Sequence, residues 1–336
     1  MHLMPRRTLS WHIKVYKNRR VEKMKTIISY PGAKWRFYEH MKPYFPLDME
    51  TYIEPFFGGG SVGLSIAADQ DFCNISRMIV GDLAPEIWAL WKGCRDHAEE
   101  VVDTARKMFD SRNTLHGEIK QCIEGTEEYN RLYERVIEEA REFWKWTQEV
   151  DTSTMSLVER AARTFLVNRI SFSGMGDSGS LSKERYLAYH HEMMDGIIEN
   201  QKYLQRMEIL NVPFQETIKY ASEKPDKTFV FLDPPYYKQE SSGLYGRNGD
   251  THKGFPHDEF AETTKKLPCK WFVTYDDSVK VRQMFSGCHI KPFRIDGGYV
   301  MAMRTAEDAL AGEELFITNY DITGNSSTNE ELMSLL

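Results

Sequence analysis

Two kinds of apolar pattern alternate along the chain. Short runs that are apolar almost throughout and end at turn residues predict strands at 51–56, 77–82, 207–212, 228–233, 270–275, 289–295 and 314–320. Between the second and third of these, apolar residues recur every three or four positions. Ile87, Trp91, Cys94, Ala98, Val101, Ala105 and Met108 predict one amphipathic helix about six turns long, opened by Pro85 at a position where proline is tolerated. Further helical patterns cover 127–146, 156–170 and 183–207, and a glycine- and serine-rich loop fills 171–184. Strands at both ends around a helical middle predict an α/β sheet interrupted by a helical insertion. We expect a basic arm over 1–25, the sheet domain over 26–84 and 207–322, the insertion over 85–206 and a disordered tail over 323–336.

Composition narrows the class. The chain has 336 residues, long enough for a large core, and is 41% hydrophobic. No apolar run approaches the roughly 18 residues that a membrane helix needs. The five cysteines are scattered, odd in number and without a CxxC pair, which points to a reducing compartment, the cytoplasm, and away from a zinc site. His257, Asp258 and Glu259 lie together, but at a predicted helix start two adjacent acids serve the helix dipole, and we expect no metal. The net charge of -7 is uneven: eight of the 43 basic residues and one of the 50 acidic ones precede Thr26, so the arm carries +7 and the rest, with 35 basic and 49 acidic residues, -14. An acidic body disfavours nonspecific binding to polyanions, although local basic patches remain compatible with it. The arm reads either as a nucleic-acid contact or as an extension ahead of a functional start at Met24, and we favour the second.

The chemistry lies where strands stop. FVFLDPPYYK (229–238) runs as a buried strand into an acid and two prolines that forbid its continuation. Asp233 therefore stands at the carboxyl end of a central strand, where open α/β sheets form their ligand crevice; the alternative is an acid that merely caps a turn. EPFFGGGS (54–61) follows the first strand with three glycines that let the backbone approach a ligand, and a helix start that offers its N–H groups to a negative group. Asp82, 22 residues beyond Gly60, ends the next strand at the spacing of an acid that bonds ribose hydroxyls. An adenosine-containing ligand is implied, and the absence of GxGxxG disfavours a dinucleotide.

Five segments in this order resemble the Dam-type DNA adenine-N6 methyltransferases of the α motif order: YPGAKWR (30–36), YIEPFFGGGSVGLS (52–65), FLVNRISFSG (165–174), DPPYY (233–237) and EELFITNY (313–320). The resemblance spans nearly everything from Thr26 to Tyr320 and implies a Rossmann-like, S-adenosylmethionine-dependent methyltransferase sheet in which the insertion recognises the target. It implies that Asp233, Pro234, Pro235 and Tyr236 are catalytic. It further implies that Tyr30, Lys34, Glu54, Pro55, Phe56, Gly58, Gly60, Ser61, Asp82, Phe214 and Asp233 bind S-adenosyl-L-methionine. Lys34 reads otherwise as a surface lysine at a helix start. Many relatives carry an acid directly before the phenylalanine matching Phe214, whereas this chain has Pro213.

For double-stranded DNA the expected contacts are Arg163, Asn168, Arg169, Lys183, Arg185, Tyr237, Lys238 and Arg247, residue types suited to base edges or phosphates. An Asn and Arg pair that bonds the loop backbone is the alternative for the helix entering 171–184. The expected enzyme is a site-specific DNA-methyltransferase acting on a flipped-out adenine, as a monomer, with a cognate restriction endonuclease as a partner. The rival readings are an RNA or protein-amide methyltransferase of the same fold, the latter more often carrying NPPY, and a catalytically inactive DNA-binding relative.

Overall fold

The structure, a computed structural model, describes residues 27–237, 254–294 and 313–322; the arm, the segment carrying Lys238 and Arg247, and the tail lie outside the described residues. Seven strands form one sheet among these residues: β1 (Thr51–Glu54), β2 (Arg77–Gly81), β3 (Met207–Leu210), β4 (Thr228–Leu232), β5 (Lys270–Asp276), β6 (His289–Arg294) and β7 (Glu313–Thr318), in the order β3-β2-β1-β4-β5-β7-β6. The first five run parallel, and β7 lies antiparallel between β5 and β6. Parallel strands are covered on both faces, which is why β4 reads as an apolar run from Phe229 to Leu232 and both β1 and β4 are buried at every position. β3, at the edge, instead alternates, with Glu208 turned out to meet Arg77 at 2.6 Å. The strand order reverses between β1 and β4, so the crevice expected at such a switch point opens over Glu54 and Asp233.

The principal helices are α1 (Ser61–Ala68), α2 (Pro85–Asp96), α3 (Ala98–Asp110), α4 (Glu127–Glu149), α5 (Leu157–Ile170), α6 (Lys183–Ala188), α7 (Asp195–Leu204), α8 (His257–Lys265) and α9 (Val279–Met284). α5 starts in a full capping box between Ser156 and Glu159 and is buried over most of its length. It lies so close to α2 that a methyl group on Gly93 would come within 2.5 Å of the Ala161 side chain. The single long helix expected from residue 85 is in fact two. The backbone turns at His97 (φ -141°, ψ 41°), and Glu99 and Glu100 occupy the first turn of α3. Both halves pack on α5, so one apolar periodicity runs through the bend. The helix expected over 183–207 likewise breaks after Ala188, because Tyr189 turns inward and packs 4.3 Å from the Phe109 ring. α2 also covers the sheet: Trp91 meets Phe57 edge-on at 5.2 Å and donates its indole N–H to the Gly58 carbonyl at 2.8 Å.

Candidate active site

The site is assembled at the carboxyl edge of the sheet. Tyr30 packs over the glycine turn so closely that a methyl group on Gly58 would fall 2.8 Å from its ring, and one on Gly59 2.6 Å from its Cβ. Gly58 and Gly60 also take positive φ, 45° and 68°, which favours glycine at both. Ser61, at the start of α1, accepts a hydrogen bond from the Lys34 N–H at 2.9 Å and so fastens the lysine segment to the turn. Lys34 is 2% exposed. It is therefore not the surface lysine of the alternative reading. Its ammonium donates to the Gly32 carbonyl at 2.7 Å, pairs with Asp233 Oδ2 at 3.0 Å, stands 3.9 Å from Glu314 Oε1 and lies 4.9 Å from the Tyr236 ring centre.

Asp233 follows β4 directly, and its other oxygen, Oδ1, accepts from the Thr274 hydroxyl at 2.7 Å. A carboxylate has about four lone-pair sites, so two remain for further donors. Tyr236 stacks on Tyr275 at 5.9 Å. Burial, with Glu314 and Asp233 beside it, holds the Tyr236 phenol well above its ordinary range, so it keeps its proton. Tyr237 donates its N–H to Asp276 Oδ1 at 2.7 Å, which fixes the chain just after the two prolines.

Asp82 follows β2 in the same way. Its two oxygens accept from the N–H groups of Gly58 and Ala84, each at 2.8 Å, and burial pushes its carboxyl up to about 6. Glu54 is different from the expectation. Its carboxyl is buried beneath the turn, accepting from the Tyr52 hydroxyl at 2.9 Å and from Gly63, and burial drives it well above the usual carboxylate range. It supports the turn from below. Phe214 is 6% exposed and sits in an aromatic cluster: its ring stacks on Phe56 at 5.5 Å and touches Phe255 and Phe260. A nucleobase can reach its face only if one of these rings gives way.

The residues expected at DNA separate sharply. Arg163 is corrected: its side chain is 0% exposed, its guanidinium donates to the Thr147 carbonyl at 2.9 Å and pairs with Asp177 at 2.6 Å, so it braces the glycine loop from inside. Asn168 is buried too. It accepts from Ser29 N–H at 3.0 Å and donates to the carbonyls of Ser29 at 2.6 Å and Gly174 at 2.8 Å, the loop-bonding alternative. Arg169 donates to the Ile27 carbonyl, and Arg185 to the carbonyls of Arg169 at 3.0 Å and Asn168 at 3.2 Å. Lys183 is exposed. The periodicity gave no hint of Phe172, whose ring is 59% exposed next to Ser173, a residue in the left-handed region at φ 52°. Thr274, Asp276 and Glu314 were also missed, since only the folded sheet brings their strands beside Asp233. Among the described residues no group of three or more His, Cys, Asp or Glu is disposed to hold a metal, and no helix is long and apolar enough to cross a membrane.

Comparison with known proteins agrees with this geometry. The family model described as D12 class N6 adenine-specific DNA methyltransferase matches residues 30–295. The chain is 22% identical over 307 residues to the type II methyltransferase M1.LlaDCHI of Lactococcus lactis subsp. cremoris, covering 87% of this chain and 84% of that one. It is 23% identical over 220 residues to the type II methyltransferase M.CviBI of Paramecium bursaria Chlorella virus NC1A, covering 63% and 69%. To the type II methyltransferase M.MjaIII of Methanocaldococcus jannaschii it is 20% identical over 224 residues, again covering 63% and 69%. With the lysine segment, the glycine turn and DPPY joined at one sheet edge, and a family match that runs from Tyr30 through β6, the chain belongs to the D12 class N6 adenine-specific DNA methyltransferases.

Proposed function

We propose that the chain takes its methyl group from S-adenosyl-L-methionine and places it on the N6 amine of an adenine rotated out of duplex DNA. The observation that carries this reading is the setting of Asp233: rigidly placed at a strand end, buttressed by Lys34 and Thr274, with lone pairs to spare. The chemistry of the donor set supports the cofactor. Asp82 and Asp233 each stand just past a strand end at one sheet edge, and carboxylates placed there suit a cationic ligand. Asp82 keeps lone pairs free for a ribose diol beyond those given to Gly58 and Ala84.

When bound, S-adenosylmethionine supplies an electrophilic methyl carbon. The protein's task is to make a poor nucleophile react, because the adenine amine shares its lone pair with the ring. Asp233 and the Pro234 carbonyl each accept a hydrogen bond from the amine, which draws the nitrogen toward tetrahedral geometry and turns its lone pair outward. The prolines fix that carbonyl, and Tyr236 offers a face for the base. Catalysis by such a site rests on positioning and preorganised electrostatics. A base within a helix cannot enter the pocket and has to flip out. The exposed ring of Phe172, on a strained turn tied through Gly174 and Asn168 to Ser29 beside the pocket, supports a contact with DNA there, as does exposed Lys183. The type II designation of the relatives supports a role in a modification system with a cognate endonuclease.

Incubation with tritium-labelled S-adenosylmethionine and, in parallel, duplex DNA, RNA and protein tests the reading. Label should enter duplex DNA alone, at adenine N6. Label confined to RNA or protein would overturn it.

A further inference from the structure

Glu314 has no part in the chemistry described so far, yet its position is costly. It is 1% exposed, and neither of its carboxyl oxygens accepts a hydrogen bond. The Tyr236 hydroxyl lies beside it without hydrogen-bond geometry. It also opposes Asp276 directly across the β5–β7 ladder, an arrangement that repels when both are charged. Asp276 has taken up the Tyr237 N–H. Among the described residues the cation within reach is Lys34, at 3.9 Å, already bound to Asp233 at 3.0 Å. From β6, Phe293 opposes Glu314 with His40 5.0 Å behind its ring, and Lys291 on the same face gives its ammonium to the Tyr44 hydroxyl at 2.7 Å. A buried carboxyl left unbonded at the end of a chain Asp233–Lys34–Glu314 is a place for a proton to go.

We propose that Glu314 receives the proton that the adenine amine sheds, delivered through Asp233 and Lys34. The proposal rests on the function given above. The amine nitrogen forms its bond to the methyl carbon as the carbon–sulfur bond breaks, the electron pair of that bond staying on sulfur. The nitrogen then holds one proton too many, and Asp233 takes it. A neutral Asp233 no longer holds the Lys34 ammonium, and the anion next in reach is Glu314. Lys34 passes a proton to Glu314 and regains one from Asp233, so the net transfer is from N6 to Glu314 and Asp233 is again an anion. Glu314 touches no substrate; it is a positioning and proton-storing residue. Burial, opposed by Lys34, brings its carboxyl up to about 7, which lets it be empty at neutral pH and still take a proton.

The test is single-turnover methylation of duplex DNA from pH 5.5 to 9 at saturating S-adenosylmethionine, which removes any effect on cofactor affinity. The wild-type rate should rise with pH through about 7 and then level, because the acceptor has to be deprotonated. Glu314→Gln should lose that limb and fall roughly 10²-fold on the plateau. Glu314→Asp should restore the limb. A Glu314→Gln variant that keeps the limb and a near-wild-type plateau would overturn the proposal and leave Glu314 structural. Should that variant not fold, the wild type still decides. With a pH-indicator dye, proton release to solvent should lag behind methyl transfer, and synchronous release would overturn the proposal. A wild-type protein that methylates no DNA at any pH would overturn the reading of the function itself, whereas methylation without a pH limb overturns this proposal alone.

Discussion

Asp82 and Asp233 occupy matching places, each one residue beyond the end of a parallel strand, β2 and β4, and they are held in opposite ways. Asp82 is gripped by main-chain N–H groups, from Gly58 and Ala84. Asp233 is gripped by side chains, the Thr274 hydroxyl and the Lys34 ammonium. Main-chain donors leave only if the backbone moves, so the first acid is tied into the loop it shapes. Side-chain donors can release, rotate or pass on protons, so the second is suited to a group whose charge changes during the reaction. The same position in the same fold is thus held either by the backbone or by side chains that can move, and in the proposed function the first acid is a brace and the second the reactive group.

The largest expected effect comes from breaking the reactive side of this comparison. Asp233→Ala should lower the single-turnover methylation rate by at least about 10³-fold, while titration calorimetry finds cofactor affinity close to that of the wild type. Retained activity with lost cofactor binding would make Asp233 a second brace. Next is Arg163, a charge held like Asp82 from within the fold. Arg163→Ala leaves Asp177 without its ion pair and should destabilise the protein by about 3–5 kcal/mol, read from denaturant unfolding. The salt dependence of DNA binding, measured on the folded fraction, should not change; a slope shallower by about one unit would mean that Arg163 meets a phosphate after all.

What could be read from the chain follows the same division. The strands were legible to within a residue or two because a buried parallel strand has no choice but to be apolar, as 228–232 is. Asp233, Asp82 and the glycines were legible because turns after strands are written in local residue types. Partners were not. Lys34 and Asp233 are 199 positions apart, and Glu314 reaches them only because β7 inserts antiparallel between β5 and β6, bringing its first residues to the carboxyl edge. Arg163 looked like a DNA contact because an arginine before a glycine-rich loop fits that role; its burial depends on Asp177 folding back over it. The breaks at His97 and Ala188 were invisible since apolar spacing records which face is buried and not whether the axis bends.

Asp82 sharpens the comparison from the side of the brace. Asp82→Ala removes a charged acceptor from both Gly58 and any ribose hydroxyl, and cofactor affinity should weaken by about 1–3 kcal/mol. Methylation at saturating cofactor should fall far less than in Asp233→Ala. Unchanged affinity would leave Asp82 as a loop brace alone.

The smallest effect is one of pH, and its sign follows from burial. Desolvation raises the Asp82 carboxyl to about 6, against an ordinary value near 3.8, so the folded protein without ligand binds a proton there that the unfolded chain does not. Between these values stability falls as pH rises, because folding then forces a charge into a dry place. A ribose diol donates hydrogen bonds, and it is the carboxylate that accepts them, so cofactor binding favours the deprotonated form. Affinity should therefore be full above pH 6 and decline as pH drops through it, by about tenfold between pH 7 and 5. Calorimetry with S-adenosylmethionine at the two pH values measures this directly. Asp82→Asn serves as the control, since it keeps the shape but cannot titrate; its affinity should be lower at pH 7 and nearly the same at pH 5. Were the wild-type affinity equal at both pH values, the Asp82 charge would belong wholly to Gly58 and Ala84, and the brace would have no ligand to hold.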